Sequence, residues 1–165
     1  MRQNKKAFTL VEIVISLFIL SMMALALGAA TIQARKLSEA AVYHATALSA
    51  AQGYMEQIQS MEYQNLLDAF YAPTAAPLPT KLDQGTPDPL YINVENEKNV
   101  VVDVDASGNP SKSIKMKITP SLSNLEGTLG YKAMEITLLY EWRSAESATA
   151  HKRALRLVRS YVPTF

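Results

Sequence analysis

The chain opens with an apolar run of 23 residues, positions 8–30, that contains a single charged side chain, Glu12. Since an α-helix rises about 1.5 Å per residue, about 20 apolar residues cross the hydrocarbon core of a bilayer. The run therefore predicts a membrane-spanning helix. A carboxylate inside such a helix costs roughly 2.5 to 3.5 kcal/mol on insertion scales, so we expect Glu12 to have a partner cation or a task.

The residues before the run supply a way to make that cation. Three basic side chains precede the run: Arg2, Lys5 and Lys6. If the chain were cut between Ala7 and Phe8, the new α-amino group would lie about one helical turn from Glu12. The helix macrodipole favours a carboxylate in the first turn and disfavours an ammonium there. We therefore expect part of the pairing to come from the amine of a neighbouring chain.

This N-terminus resembles the prepilin-type N-terminus of type IV pilins and of type II secretion pseudopilins. The resemblance rests on the short basic leader, the small residue before the cut, the Phe-Thr-Leu-Val-Glu string at 8–12 and the apolar helix. In that family a membrane-embedded prepilin peptidase removes the leader and methylates the new terminal residue. The resemblance implies cleavage between Ala7 and Phe8, N-methylation of Phe8 and a role for Glu12 in assembly with other pilins. The family prefers Gly where this chain has Ala7.

Three other interpretations of the N-terminus are open at the level of sequence. A secretory signal peptide could be cut after the Ala-Leu-Ala string at 24–26, but an h-region normally has about 7 to 15 uncharged apolar residues. This run is longer and contains Glu12. The second interpretation is a plain single-span anchor with Glu12 at the interface. The third is that the Phe-Thr-Leu string occurs by chance. Both flanks of the motif favour the prepilin interpretation.

Composition limits the rest of the chain. Its 165 residues leave room for one domain beyond the membrane segment. The net charge is +1, and about −2 without the three leader cations, so we expect no nucleic-acid partner. The leader cations place the N-terminus in the cytoplasm and the domain outside the cytoplasmic membrane by the positive-inside rule, although Arg35 and Lys36 reduce the asymmetry. With no cysteine, the chain has neither a disulfide nor a thiolate metal site.

The pattern along the chain predicts five segments. They are a leader (1–7), a transmembrane and assembly helix (8–30), an amphipathic helix that continues into the soluble domain (31–70), a Pro-rich connector (71–90) and an antiparallel β-sheet region (91–165). Residues spaced by three or four form the expected apolar stripe of the second helix: Leu37, Ala41, Ala45, Leu48, Ala51, Met55 and Ile58.

Beyond the connector the apolar period changes from helical spacing to two. We predict strands at 91–95, 100–105, 114–118, 134–142 and 155–162, with the loop 144–152 before the last. The sheet should have one face on the helix stripe, which is an α+β, pilin-like architecture. Trp142 continues an apolar alternation, so we expect it to be a core residue.

Few residues suggest chemistry. Asp103, Asp105, Ser107 and Gly108 match the first half of a calcium loop, but Ile114 stands where a bidentate Glu should be. A turn between two strands explains the same residues and is the favoured interpretation. His44, in a helix, and His151, in a loop, are expected at the surface. No nucleophile, phosphate loop or metal cluster is recognisable, so we predict no cofactor and no enzyme activity.

The sequence thus predicts a structural minor subunit of a type II secretion pseudopilus or type IV pilus. Its expected partners are prepilin peptidase, the other pilins or pseudopilins of the filament and the cytoplasmic membrane. The strand end at 140–142 and the lack of cysteine look similar to minor pseudopilins of the I type or minor pilins of the V type. The alternative is a solitary membrane-tethered extracytoplasmic binding domain that does not polymerise.

Overall fold

The structure, a computed structural model, describes residues 9–83, 86–129, 131–143 and 149–161. The chain divides into two compact units, Met1–Ala41 and Val42–Phe165. Within these ranges the first unit consists of the first part of a long helix. The second contains the end of that helix, a connector and a four-stranded sheet.

The long helix α1 spans Leu10–Ser60. Residues 10–30 are mostly Leu, Ile, Val, Met and Ala, which favour helix in an apolar setting, and two hydroxyls bond back to the helix itself. Ser21 Oγ donates to the Leu17 carbonyl and Thr31 Oγ1 to the Leu27 carbonyl, each at 2.8 Å. These bonds leave neither hydroxyl without an acceptor, which an apolar environment requires.

The second unit buries a stripe of α1 that begins later than the sequence predicts. Its members, spaced as one helical face, are Ala47, Ala51, Tyr54, Met55 and Ile58. Leu37, Ala41 and Ala45 are exposed, so the prediction was wrong for the first part of the stripe. Periodicity shows which face of a helix is apolar, but it does not show where along the helix a covering surface begins.

A short second helix and the connector follow. α1 ends at Ser60, Met61 and Glu62 interrupt the helical pattern, and α2 spans Tyr63–Tyr71. The connector holds a two-stranded ribbon, β1 (Lys81–Asp83) with β2 (Thr86–Pro87), and an isolated antiparallel bridge between Leu78 and Leu90. Both leucines are fully buried, so the connector contributes to the core.

The main sheet contains β3 (Asn96–Val104), β4 (Pro110–Asn124), β5 (Ala133–Arg143) and β6 (His151–Ser160). The order is β3-β4-β5-β6 with every pair antiparallel, a simple meander, and a short helix α3 (Glu126–Leu129) joins β4 to β5. The edges of the sheet are therefore β3 and β6.

The strand predicted at 91–95 is wrong, because this segment is a turn. Asn93 has a φ of 59°, a left-handed conformation that does not continue a strand. The buried Asn96 amide closes the turn: its oxygen accepts from the Tyr91 N–H and its nitrogen donates to the Tyr91 and Val94 carbonyls, each at 2.9 Å. Since a side chain occupies the backbone groups of this segment, strand pairing starts only at Asn96.

The strands β4 and β5 confirm the period-two prediction. Alternate side chains of both point to one face and are buried: Ile114, Met116, Ile118, Leu122, Met134, Ile136, Leu138, Tyr140 and Trp142. They form one cluster with the stripe of α1 and with α2. The architecture is a long N-terminal helix packed on a four-stranded antiparallel sheet, an α+β, pilin-like fold. Trp142, 4% exposed, is the core residue expected.

Candidate functional site

The start of α1 is built as a capping box between Thr9 and Glu12. The Glu12 carboxylate, through Oε2, accepts the backbone N–H of Thr9 at 2.8 Å and the Thr9 hydroxyl at 3.1 Å. In return the Glu12 N–H donates to Thr9 Oγ1 at 3.3 Å. A Thr three residues before a Glu satisfies helix N–H groups that have no intrahelical acceptor. The carboxylate therefore has a structural partner in its own chain, which the sequence analysis did not identify although the Thr-x-x-Glu spacing indicates it.

Both bonds to the carboxylate end on the same oxygen. Within the described residues, Oε1 of Glu12 accepts no hydrogen bond. The carboxylate can therefore keep its bonds to Thr9 and still accept a cation or donor on Oε1. The described part of the chain begins at Thr9, so Ala7 and Phe8, together with the leader cations, lie outside the described residues.

The helix that follows has an apolar surface on all sides. Every large hydrophobic side chain from Leu10 to Ile32 is at least half exposed. Among the described residues, α1 is the one helix long and apolar enough to cross a membrane. Apolar exposure on this scale requires either lipid or other protein around the helix.

The segment that resembles half a calcium loop is a tight turn. Asp105 Oδ1 accepts the backbone N–H groups of Ser107 at 2.8 Å and Asn109 at 2.9 Å, and Gly108 has a φ of +81°, which favours glycine. Asp103 Oδ1 accepts the N–H of Val104 at 3.0 Å. These bonds use the carboxylates for backbone groups and favour the turn interpretation. No group of three or more metal-ligating side chains occurs among the described residues.

The rings of the two histidines both contact the same tryptophan, Trp142. The His44 ring contacts Trp142 edge to face and the His151 ring stacks on it, each with 5.3 Å between ring centroids. His151 is the first residue of β6 and pairs with Trp142 across the strands, so the prediction of a loop at this position was wrong. Both histidines are exposed, as expected. The sequence does not indicate this cluster, because 107 positions separate the two histidines.

A polar cluster in the second unit joins α1, the connector and β3. The two carboxylate oxygens of Asp88 accept from the Tyr54 hydroxyl and the Lys98 ammonium. The Lys98 ammonium also donates to the Pro89 carbonyl at 3.4 Å, and its side chain is only 9% exposed. Burial, together with the bond to Asp88, raises the pKa of Tyr54 well above its usual value. The cluster fixes the connector between helix and sheet, and no spacing motif in the sequence indicates it.

Comparison with known families identifies the N-terminal segment. The family model described as the prokaryotic N-terminal methylation motif matches residues 2–28. The chain therefore carries the prepilin-cleavage signature of type IV pilins and pseudopilins, a structural class of protein and the substrates of prepilin peptidase. No curated protein and no solved structure matched the chain. The signature and the exposed apolar helix are consistent with a protein anchored in the inner membrane.

Proposed function

We propose that this chain is a structural minor subunit of a type II secretion pseudopilus or a type IV pilus, with a form similar to the I-type or V-type minor subunits. The observation that carries the proposal is the methylation motif at residues 2–28, whose residues from Leu10 onward belong to a helix with an apolar surface exposed on all sides. A helix of this kind can be surrounded by lipid before assembly and by other helices after it.

In this proposal prepilin peptidase cuts between Ala7 and Phe8 and the new N-terminal amine of Phe8 is methylated. The N-methyl amine stays cationic at neutral pH, one residue before Thr9. The Oε1 atom of Glu12, which accepts no bond within the described residues, is the acceptor for this amine or for that of an adjacent subunit. An ammonium and a carboxylate buried together in an apolar bundle need each other, because either alone would be an uncompensated charge.

Before assembly the helix lies in the cytoplasmic membrane, with the N-terminus in the cytoplasm and the C-terminal domain outside it. Arg2, Lys5 and Lys6 support this orientation. On assembly the subunit leaves the lipid and the side chains of residues 10–32 pack against neighbouring pilins. Both states bury the same apolar surface, so the free energy that selects the filament comes from packing and from the pairing of Glu12.

The runner-up is a solitary tethered binding domain that is inserted in the membrane and never polymerises. It would share the apolar helix and the sheet but would not need Phe8 at its terminus. The methylation motif favours the subunit, since a plain anchor requires neither the Phe-Thr-Leu-Val-Glu string nor the capped carboxylate. We propose no enzyme activity for either form.

Intact-mass measurement of the protein extracted from membranes separates these possibilities. A mature chain that starts at Phe8 with one added methyl group supports the subunit. A chain that starts at Met1 supports the tether, and one that starts near Ala29 supports a secreted protein cut as a signal peptide.

The matched pair Ala7→Gly and Ala7→Leu tests the bond itself. Since a pocket for a small residue cannot admit a branched side chain, Ala7→Leu should keep its leader while Ala7→Gly should lose it at least as fully as the unchanged chain. Complete maturation of Ala7→Leu, read by immunoblot and mass, would show that the cut lies at another bond.

A further inference from the structure

The two edge strands of the main sheet carry opposite charge. β3 and the residue on either side of it contain four carboxylates and one cation: Glu95, Glu97, Asp103 and Asp105, with Lys98. Lys98 is already held by Asp88 in the interior. β6 contains four cations and no carboxylate: Lys152, Arg153, Arg156 and Arg159. One edge is therefore acidic and the other basic.

A row of side chains across the outer face of the sheet shows the same asymmetry. In register, Glu97 lies opposite Lys117, Lys117 opposite Glu141, and Glu141 opposite Lys152. Lys117 Nζ lies 2.8 Å from Glu95 and 3.9 Å from Glu97, and Lys152 Nζ lies 2.9 Å from Glu141. Because four strands alternate in sign, the row ends in a carboxylate on β3 and in an ammonium on β6. The charge across this row is therefore negative at β3 and positive at β6, as it is for the two edges.

Both edges also expose apolar surface. Val101 and Val104 on β3 are 46% and 55% exposed, and Val158 on β6 is 54% exposed. β-branched side chains on a sheet edge favour pairing with a further strand. Each edge thus combines an apolar component with a charge of one sign.

Charged side chains on an edge strand usually discourage pairing with another strand. In this sheet they discourage pairing between like edges only. Two β3 edges repel each other, as do two β6 edges, so symmetric pairing through like edges is opposed. An acidic edge and a basic edge attract. This pattern disfavours the two-fold arrangement and favours the head-to-tail one, which generates an open chain or a ring.

We propose that the basic edge β6 of one copy of this chain pairs with the acidic edge β3 of a second copy. β3 and β6 run in opposite directions within the sheet, so copies in the same orientation bring the two edges together antiparallel and extend the sheet without reversing a subunit. This proposal goes beyond the proposed function and does not require the leader to be removed.

Antiparallel pairing of the regular part of β3 predicts one specific contact. β3 has a register irregularity between Val101 and Val104, and aligning 96–101 antiparallel with 154–159 places Arg156 opposite Asn99. Arg156 then has Glu97 as a diagonal neighbour on the same face, within reach of a long side chain. Arg156 is exposed on the outer face, and its partner in its own sheet is the uncharged Thr137. Reversing the charge of Arg156 therefore breaks no ion pair with the residue directly opposite it in that sheet.

Charge reversal on the full chain in detergent micelles at low ionic strength tests the proposal by sedimentation velocity. The first variant, Lys152→Glu with Arg156→Glu, cancels the net positive charge of the β6 edge. The second, Glu97→Lys with Asp103→Lys, cancels the net negative charge of the β3 edge, apart from Lys98, which Asp88 holds. We expect the unchanged chain to associate, each variant alone to associate at least tenfold more weakly, and a mixture of the two to recover association. High salt should weaken both the original and the recovered association, since exposed charges are screened.

The matched control reverses two exposed carboxylates on the helices, Glu56→Lys with Asp68→Lys, and should associate like the unchanged chain. Melting by circular dichroism checks that each variant folds. Since Lys152 also pairs with Glu141, single Arg156→Glu is measured in parallel and should already weaken association. A monomeric unchanged chain, association that survives both reversals, or folded variants that fail to recover on mixing would each overturn the proposal.

Discussion

The Arg159 guanidinium, in the last strand, donates a hydrogen bond to the backbone carbonyl of Met61, immediately after the end of α1. The carbonyls at a helix C-terminus have no intrahelical donor and carry the negative end of the macrodipole. A cation from β6 satisfies one of them. The contact therefore joins the end of α1 to the end of β6, with 98 positions between Met61 and Arg159 in sequence.

We expect Arg159→Gln to lower the free energy of unfolding by about 1.5 to 3 kcal/mol, the range for a hydrogen bond to a charged group. Arg156→Gln, on the opposite face of the same strand, is the matched control and should change it by less than about 0.5 kcal/mol. Thermal and urea unfolding in detergent measure both. Equal stability of the two variants would mean that the Met61 carbonyl finds another donor.

Replacing Lys98 by methionine should be more costly. The change keeps an unbranched apolar side chain up to the Cε position but removes the ammonium, which leaves the Asp88 carboxylate with the Tyr54 hydroxyl in a part-buried site. Removing one partner of a buried ion pair costs about 3 to 5 kcal/mol, and because Asp88 is 21% exposed we expect about 2 to 4 kcal/mol. Lys115→Met, at an exposed position, is the control. A loss no larger than that of the control would show that water replaces the ammonium at Asp88.

Alkaline pH should destabilise the second unit through its buried tyrosines. Burial, the largest cause in each case, raises the pKa of Tyr54, Tyr63 and Tyr140. A pKa raised in the folded state means that the folded chain holds the phenolic proton more tightly than the unfolded chain. The resulting stability is fully present below pH about 10, the unfolded value, and is lost as the pH rises through the folded values.

Tyr54→Phe separates two effects of the Tyr54 hydroxyl on stability: its hydrogen bond to Asp88 and its ionisation at alkaline pH. At pH about 8 it should cost about 1 to 3 kcal/mol, because Asp88 loses a donor. Above pH about 10 its stability should fall less steeply than that of the unchanged chain. Tyr131→Phe, at an exposed position, should keep the original pH dependence. Urea midpoints across this range provide the measurement, and parallel curves for Tyr54→Phe and the unchanged chain would contradict the expectation.

Glu12→Ala should leave membrane insertion and leader removal intact, because it makes the helix more apolar. It should reduce co-purification with partner pilins at least tenfold if the carboxylate pairs with a terminal amine in the bundle, a pairing that is lost at a cost of several kcal/mol. Ser21→Ala is the control within the same helix, since that hydroxyl bonds only to the helix itself within the described residues. Normal amounts of complex with Glu12→Ala would refute the pairing role, and loss of cleavage would assign Glu12 to the peptidase instead.

Residues 42–165 should fold without the first unit, because the described core, from Ala47 to Trp142, lies within them. A chain that starts at Tyr63 lacks five core residues of α1. At roughly 0.5 to 3 kcal/mol each, those residues account for about the whole stability of a small domain. We expect cooperative melting without added calcium for the first fragment and aggregation for the second. Cooperative melting of both at similar temperatures would contradict the packing of helix on sheet.

The parts of the fold that sequence could predict are those set by local pattern. The alternation from Met134 to Trp142 and the period of α1 each specify a buried face, because one side chain in two or in about four must leave water. The same pattern does not show where along α1 the buried stripe begins. For this reason the sequence predicts Leu37 in the core, although it is exposed. The strand predicted at 91–95 failed because the Asn96 amide replaces the strand's backbone partners, a contact that residue preferences do not encode.

The candidate site also has features that the sequence predicts and features that it does not. The methylation motif is a contiguous string, so sequence identifies it, and the Thr9 cap lies three positions from Glu12 and could have been found from spacing alone. The cluster of Tyr54, Asp88 and Lys98 spans three elements and depends on how the connector crosses the core. Contacts of that kind follow from tertiary packing, so no local spacing predicts them.

The packing around Trp142 gives the chain a built-in optical reporter. It is the single tryptophan of the sequence, and it contacts His44 on the helix and His151 on β6. Its emission should therefore change when either the helix or the last strand leaves the sheet, while the eight tyrosines contribute little when only the indole is excited. Folding, fraying of the β6 edge and contact with a second copy can be followed by fluorescence without attaching a dye.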